Sequence, residues 1–290
     1  MIARMTPASG QSEIFAPDAL DGTVALITGG GTGLGKATAL ELARCGASVT
    51  IMGRTSDVLE QAASEIGAVG DADWLVGDVR EGADADRLVR TVLERRGRLD
   101  VLVNNAGGQY FTPAELIVAK GWQAVWRLNV SGTLNMAEAA YALAMAPAAG
   151  GMIVNVTLSP HHGMPGMAHS GAARAAVEEL TRELAAGWID SGVSVVAVAA
   201  GHFATEVTKK YPESVRAGAA RSVPLGRLGE VDEHAWLVAL LASPLGRAFN
   251  GSTVTLDGAR DNWAGPWPPA GLADEAGEVP VEERQQAPAS

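Results

Sequence analysis

A glycine-rich stretch near the start of the chain, Thr28-Gly29-Gly30-Gly31-Thr32-Gly33-Leu34-Gly35, has the residue types and flanks of a phosphate-binding turn. It follows the apolar run Val24-Ala25-Leu26-Ile27 and precedes a helical pattern that ends near Gly46. Strand, glycine loop and helix in that order present backbone N–H groups to a pyrophosphate at a helix N-terminus. Glycines permit the tight turn and a backbone approach that a Cβ would block. Gly29, Thr32, Gly33, Leu34 and Gly35 are therefore expected to cradle a dinucleotide. The second apolar run ends in Ile51-Met52-Gly53-Arg54. An acid there would accept the ribose 2′-hydroxyl of NAD, whereas a cation suits the 2′-phosphate of NADP(H). Arg54 thus favours NADP(H); the alternative is a solvated neighbour of a helix cap. Asp78 and Val79 follow the third run, placed to contact adenine. Asn104-Asn105-Ala106-Gly107 closes the fourth with small residues where a sugar can pass, so Asn105, Ala106 and Gly107 join the cofactor site.

These groups need a scaffold that gathers the ends of several strands. Short β-branched runs alternate with longer amphipathic stretches, at Val24–Thr28, Ser48–Met52, Asp73–Val76, Leu99–Asn104, Met152–Val156, Val193–Ala199 and Thr253–Leu256. Continuous apolar strands separated by helix-length segments read as an α/β protein, a parallel sheet with helices on both faces. The seven runs fill residues 21–260 without a linker, which reads as one domain behind an N-terminal arm, 1–20. The extension 261–290 carries Trp263, Pro266, Trp267, Pro268 and Pro269 before a Glu- and Gln-rich end. It reads as partly disordered or docked on a neighbouring subunit.

Composition bounds the partners. At 47% apolar and 19% charged, the chain is an ordinary soluble globule. No apolar run approaches the roughly 18 residues of a membrane span, and the start lacks a signal-peptide pattern. The single Cys45 excludes a disulfide framework and reads as a buried apolar residue. A cytoplasmic location with no metal and no membrane partner is expected. The net charge of −11 argues against non-specific binding to nucleic acid.

The T-G-x-x-x-G-x-G loop at Thr28 to Gly35, Asn-Asn-Ala-Gly at 104–107 and Leu256-Asp257-Gly258 occur in one order along the chain. That order resembles the short-chain dehydrogenase/reductase family, over about Asp21 to Arg260. The resemblance implies a three-layer, doubly wound Rossmann fold with a seven-stranded parallel sheet, assembled as a homotetramer or homodimer. It also implies a catalytic Asn, Ser, Tyr and Lys, the Tyr four residues before the Lys. Asn129 and Thr157 match the first two positions, with Thr for Ser. Ser170 stands where the Tyr belongs and Arg174 where the Lys belongs, one helical turn apart and so on one face. By the same resemblance Arg174 still holds the nicotinamide ribose, and Thr205 contacts the cofactor's carboxamide or phosphate.

The replacements change the chemistry. A Tyr hydroxyl, with a pKa of about 10 when unperturbed, becomes a usable acid beside a cation. A Ser hydroxyl is too weak an acid without a partner base, and a guanidinium does not surrender its proton. Asn129, Thr157, Ser170 and Arg174 can donate hydrogen bonds to an oxyanion, but they are poorly equipped for alcohol/ketone interconversion. Reducing a conjugated C=C asks less of them. Hydride adds at the β-carbon, and the charge that reaches the carbonyl oxygen needs only donors aimed at it. The segments 108–115, 119–122 and 168–175, with 14–17 and 261–263, are similar to the peroxisomal trans-2-enoyl-CoA reductase branch. This implies a coenzyme A or carrier-protein thioester as the small-molecule substrate. The last residues, Ala287-Pro288-Ala289-Ser290, are not a Ser-Lys-Leu-type peroxisomal address.

Substitute proton donors lie close by. His161, His162 and His169 fall between Thr157 and Arg174, and imidazole titrates near neutral pH. His162 is foremost, against the alternative of a merely polar loop. Tyr110 offers a phenol from another direction, or else forms a pocket wall. Lys209, Lys210, Arg216, Arg221 and Arg227 read as an anchor for substrate phosphates or as an ordinary exposed helix. Met145, Met164 and Met167 line an acyl pocket or pack in the core. Three functions stay open: an NADPH-dependent reductase of a conjugated double bond, an alcohol or aldehyde dehydrogenase using His162 or Tyr110, and a scaffold that no longer transfers hydride.

Overall fold

β1 (Val24–Thr28), β2 (Ser48–Gly53), β3 (Ala72–Val76), β4 (Val101–Asn104), β5 (Gly151–Leu158), β6 (Val193–Ala200) and β7 (Thr253–Leu256) form one parallel sheet in the computed structural model. Their order is β3-β2-β1-β4-β5-β6-β7. The structure describes residues 10–159, 161, 166–206 and 220–262. His162, Met164, Lys209, Lys210, Arg216 and residues 263–290 lie outside the described residues.

Both faces of the sheet are covered, which is why the strands read as continuous apolar runs. On one face Ala25 and Ile27 of β1 pack with α1 (Gly33–Arg44), α2 (Ser56–Gly67) and α7 (Val231–Ala242). On the other, Val24 and Leu26 pack with α3 (Gly82–Arg96), α5 (Gly132–Ala140) and α6 (Ala168–Trp188). The alternation follows the two-residue period of a strand. Each buried Leu or Ile contributes about 1.5–3 kcal/mol, so slipping β1 by one residue would exchange two matched sets. α4 (Ala119–Trp126) enters α5 through a π-helical segment, Arg127–Ser131, that contains Asn129.

Strand order reverses between β1 and β4, and such a switch point opens a crevice at the carboxyl ends of the strands. The glycine loop and the Asn104–Gly107 segment meet there. A buried amide chain holds α6 in position beside it. Asn104 Nδ2 donates to Asn155 Oδ1 at 3.0 Å, and Asn155 Nδ2 donates to Thr181 Oγ1 at 2.9 Å. Behind the crevice, the arm residues 10–20 return over α1. Leu20 N donates to Cys45 O at 2.8 Å, and the Ser12 hydroxyl donates to the buried Glu41 carboxylate. Cys45 is fully buried, and burial pushes its thiol up to about 11, so it stays protonated and inert. Met145 and Met167 are both buried. Among the described residues no helix is long and apolar enough to cross a membrane.

Candidate active site

The cofactor end is shaped by backbone and amide groups. Gly35 lies so near Gly29 that a Cβ on it would come within 2.4 Å of the Gly29 carbonyl oxygen. Asn105 Nδ2 donates to Thr28 O at 2.9 Å and Gly29 O at 3.2 Å. The Thr28 hydroxyl accepts from Asn105 N at 3.0 Å and Ala106 N at 2.9 Å. Asn105 and Ala106 therefore tie the glycine loop to the end of β4. Thr32 precedes α1 without capping it through its side chain, and the first turn, with Gly33, Leu34 and Gly35, holds no acid. That leaves N–H groups and a positive helix end available to an anion. Beyond Gly33 the space is open as far as the Thr205 methyl, 4.0 Å from where a Cβ would sit. A dinucleotide's pyrophosphate fits this cradle.

Arg54 is exposed at the end of β2, and its charge reaches Asp78. Hydrogen bonds from Arg80 hold the Asp78 carboxyl below its ordinary range, and the charges of Arg80 and Arg54 add to the effect against partial burial. Arg80 Nε lies 2.9 Å from Asp78 Oδ1. Val79 is buried against Gly132 at the start of α5.

The opposite wall is α6. Ser170, Arg174 and Glu178 follow at intervals of one turn and share a face. Arg174 Nη1 donates to Val156 O at 2.8 Å, while its buried Nε has no hydrogen-bond partner among the described residues. Burial pushes the guanidinium down to about 10, which leaves it cationic at neutral pH. It fills the space over Gly107, where a Cβ would come within 2.2 Å of Nη2 and 2.7 Å of Asn129 Oδ1. Asn129 Nδ2 donates to Val125 O at 2.8 Å and Gly108 O at 2.9 Å, so this amide braces the segment after β4. Ser170 is buried, and among the described residues its hydroxyl makes one long contact, 3.4 Å to Gln109 Oε1. The Tyr110 hydroxyl abuts Gly121 in α4, and its ring stands edge-on to His169 at 4.5 Å. His169 is buried, and burial lowers its pKa, outweighing a weak contact with the Met167 backbone.

At the foot of the α6 face lies a cluster that links three elements. Thr157, near the end of β5, donates its hydroxyl to Glu178 Oε1 at 2.8 Å. His161 Nε2 lies 3.0 Å from the same oxygen, and His161 Nδ1 lies 2.6 Å from Asp261 Oδ2. Asp257 Oδ2 in turn accepts from Asp261 N at 2.6 Å and from the Ser159 hydroxyl. Burial disfavours the His161 imidazolium, but hydrogen bonding to Asp261 and the Glu178 carboxylate raise its pKa above the ordinary value on balance.

Of the histidines weighed from sequence, His161 joins this cluster and His169 packs on Tyr110, while His162 lies outside the described residues. Sequence reasoning missed Glu178, Asp257 and Asp261. Glu178 had a legible signal, an acid one turn beyond Arg174 on a face otherwise apolar at Ala173 and Val177. Asp257 and Asp261 were legible as members of motifs and not as partners of this cluster, because only the fold brings the residues after β7 to those after β5, across β6.

Residues 29–259 match the family model described as Enoyl-(Acyl carrier protein) reductase. The chain belongs to the short-chain dehydrogenase/reductase family. Within that family it is similar to the (3E)-enoyl-CoA-producing peroxisomal 2,4-dienoyl-CoA reductase of Arabidopsis thaliana, 36% identical over 84% of this chain and 86% of the relative. Among solved structures, a citronellol catabolism dehydrogenase of Pseudomonas aeruginosa PAO1 is 40% identical with a TM-score of 0.77, covering 86% of this chain and 98% of that one. A gluconate 5-dehydrogenase from Burkholderia cenocepacia J2315, solved with NADP and tartrate, is 31% identical with a TM-score of 0.80, covering 85% and 98%. The doubly wound Rossmann fold is thus shared with short-chain dehydrogenases.

Proposed function

We propose that this short-chain dehydrogenase/reductase uses NADPH to reduce a conjugated C=C in an enoyl or dienoyl thioester, or in a related enone. The observation that carries the reading is the buried Glu178 carboxylate, one turn below Arg174 and hydrogen-bonded to Thr157. Alcohol/ketone chemistry moves a proton on or off the reacting oxygen and needs an acid where Ser170 stands. Reduction of a C=C leaves charge on the thioester oxygen and needs its proton at carbon. Arg174 and Ser170 suit the first requirement as a cation and a weakly engaged hydroxyl. Glu178 suits the second, as the carboxyl that gives a proton to the α-carbon. When Glu178 is protonated its O–H can turn toward Thr157, which frees the Thr157 proton for the substrate oxygen.

The dinucleotide, when bound, supplies the hydride. Gly29, Thr32, Gly33, Leu34 and Gly35 would hold its pyrophosphate, Asp78 and Val79 its adenine, and Thr205, Gly107 and Arg174 its nicotinamide half. Arg54 supports NADP(H), and so does the neighbour solved with NADP. The relative's name supports a coenzyme A thioester with conjugated unsaturation. The test is NADPH consumption with 2-enoyl-CoA and 2,4-dienoyl-CoA series of short to medium chain length, with product identification by mass spectrometry. Loss of one double bond per NADPH is expected. No turnover at any length, or turnover of 3-oxoacyl thioesters alone, would overturn the reading.

A further inference from the structure

We propose that His161 loads the proton that Glu178 delivers, as the middle member of an Asp261–His161–Glu178 relay; this rests on the role given to Glu178 above. The geometry orients the ring. Asp261 accepts both the His161 backbone N–H, at 2.6 Å on Oδ1, and the ring at Nδ1, at 2.6 Å on Oδ2. A carboxylate on Nδ1 keeps the proton there, so Nε2 is the nitrogen that exchanges, and it faces Glu178 Oε1 at 3.0 Å. This is the logic by which a buried Asp orients a histidine toward the group it serves. Asp261 is itself held, since its N–H donates to Asp257 Oδ2 at 2.6 Å.

Exposure gives the relay a direction. The His161 side chain keeps 30% of its surface in solvent, against 10% for Glu178. A buried acid that loses a proton in each turnover needs a partner in contact with water, and His161 provides one. The imidazolium gives its Nε2 proton to the Glu178 carboxylate, and the ring stays neutral with Nδ1–H on Asp261. Nε2 then regains a proton from solvent. Per turnover one proton leaves water, passes through His161 and Glu178, and ends in the new C–H bond.

The charged groups around the ring come from each neighbouring element. Glu178 lies on α6, Arg260 and Asp261 on the turn after β7, and Asp257 at the end of β7, with His202 beyond Asp257 after β6. Asp261 and Glu178 touch the ring directly, so the protonated form is favoured. Proton loading is therefore complete at low pH and fails as pH rises through the elevated His161 pKa.

His161→Gln keeps a polar side chain but cannot titrate. We expect its kcat to fall roughly 10²-fold, a typical general-acid contribution, while KM for the thioester and Kd for NADPH stay nearly unchanged. The alkaline limb of the kcat profile should disappear, and added imidazole should restore part of the rate in His161→Ala. A purely structural role would shift KM or Tm and show no imidazole rescue. Wild-type kcat and an unchanged pH profile in His161→Gln would overturn the proposal. A second measurement needs no turnover: imidazole nitrogen NMR, with the His161 signal identified by its loss in His161→Gln. Its midpoint should lie above that of an unperturbed histidine and fall in Glu178→Gln, or in Asp261→Asn should that variant fold better. A midpoint indifferent to both acids would sink the relay. A wild-type enzyme inert to every unsaturated thioester, with the NMR coupling intact, would instead count against the function proposed for the site.

Discussion

Around the glycine loop, the contacts that shape the crevice run from amide and hydroxyl to backbone, whereas at the foot of α6 ionisable side chains meet one another, with His161 between Glu178 and Asp261. Asn105 and Thr28 lock the loop with neutral hydrogen bonds of 2.9 to 3.2 Å. Across the crevice, Arg174, Glu178, His161, Asp257 and Asp261 place ionisable side chains in partly or wholly buried positions. A backbone cradle recognises a diphosphate with whatever side chains its strands require. An ionic cluster has to be specified residue by residue. The cofactor end can therefore keep an ordinary pattern while the chemistry facing it is rebuilt.

The sharpest way to break this comparison is to put a side chain into the backbone-built half. Gly35→Ala sets a Cβ 2.4 Å from the Gly29 carbonyl oxygen, an atom with no freedom to withdraw. A loss of about 3 kcal/mol in stability is expected, with NADPH binding abolished in a fluorescence titration. Gly171→Ala on α6, where a Cβ would meet nothing within 4 Å, should be neutral or slightly stabilising. Normal NADPH affinity in Gly35→Ala would mean that the cradle lies elsewhere. The ionic half should fail differently. Glu178→Gln should lower kcat by roughly 10²- to 10⁴-fold and leave the Kd for NADPH intact. An equal loss in both parameters would show that the carboxylate holds the fold rather than the chemistry.

The same contrast explains which features are legible in the sequence. Seven apolar runs mark seven strands, of which β1, β4 and β6 are buried on both faces, and β1 and β7 fall where expected, at Val24–Thr28 and Thr253–Leu256. β4 begins at Val101 rather than Leu99, although Asp100 already bonds to both neighbouring strands, through its N–H to Val24 O and its carbonyl to Met152 N. Ser170 and Arg174 were legible as a pair, since spacing alone puts them on one helix face. The partners of His161 were not, because Glu178 lies 17 residues away and Asp261 lies 100. Such contacts follow from strand order, and the spacing of residues along the chain carries no trace of them.

Two histidines sharpen the contrast through pH. His234 on α7 is fully buried between Thr38, whose hydroxyl is 3.3 Å from Nδ1, and Phe203. Burial pushes its pKa down to about 4. The unfolded chain takes up a proton near pH 6.5, so stability is full above that pH and declines as pH falls toward 4. The expected loss is roughly 3 kcal/mol. Urea midpoints measured across this range should show the decline, and His234→Leu should flatten it. An equally steep decline in that variant would assign the acid sensitivity to the carboxylates. His161 has the opposite sign, its protonated form favoured, so acid should weaken the fold near α7 before it disturbs the site.

The smallest expected effect tests the exposed cation proposed to choose between the two cofactors. Arg54 is exposed, and its field reaches Asp78 across the site proposed for the adenosine ribose. An exposed cation contributes little to the fold, so Arg54→Asp should leave Tm close to wild type. Its effect should appear in discrimination. The variant loses the partner of a 2′-phosphate and gains an acceptor for a 2′-hydroxyl, beside the existing negative charge of Asp78. NADPH affinity should fall roughly 10- to 100-fold while NADH affinity holds or rises. Because phosphate pairing at an open site is screened, the wild-type preference for NADPH should also narrow as salt increases, and the variant should lose that salt dependence. If NADPH and NADH bound the variant in the wild-type ratio, Arg54 would be a solvated residue and the preference would belong to Arg80. That would move cofactor selection onto an ionic side-chain pair and erase part of the distinction between the two ends.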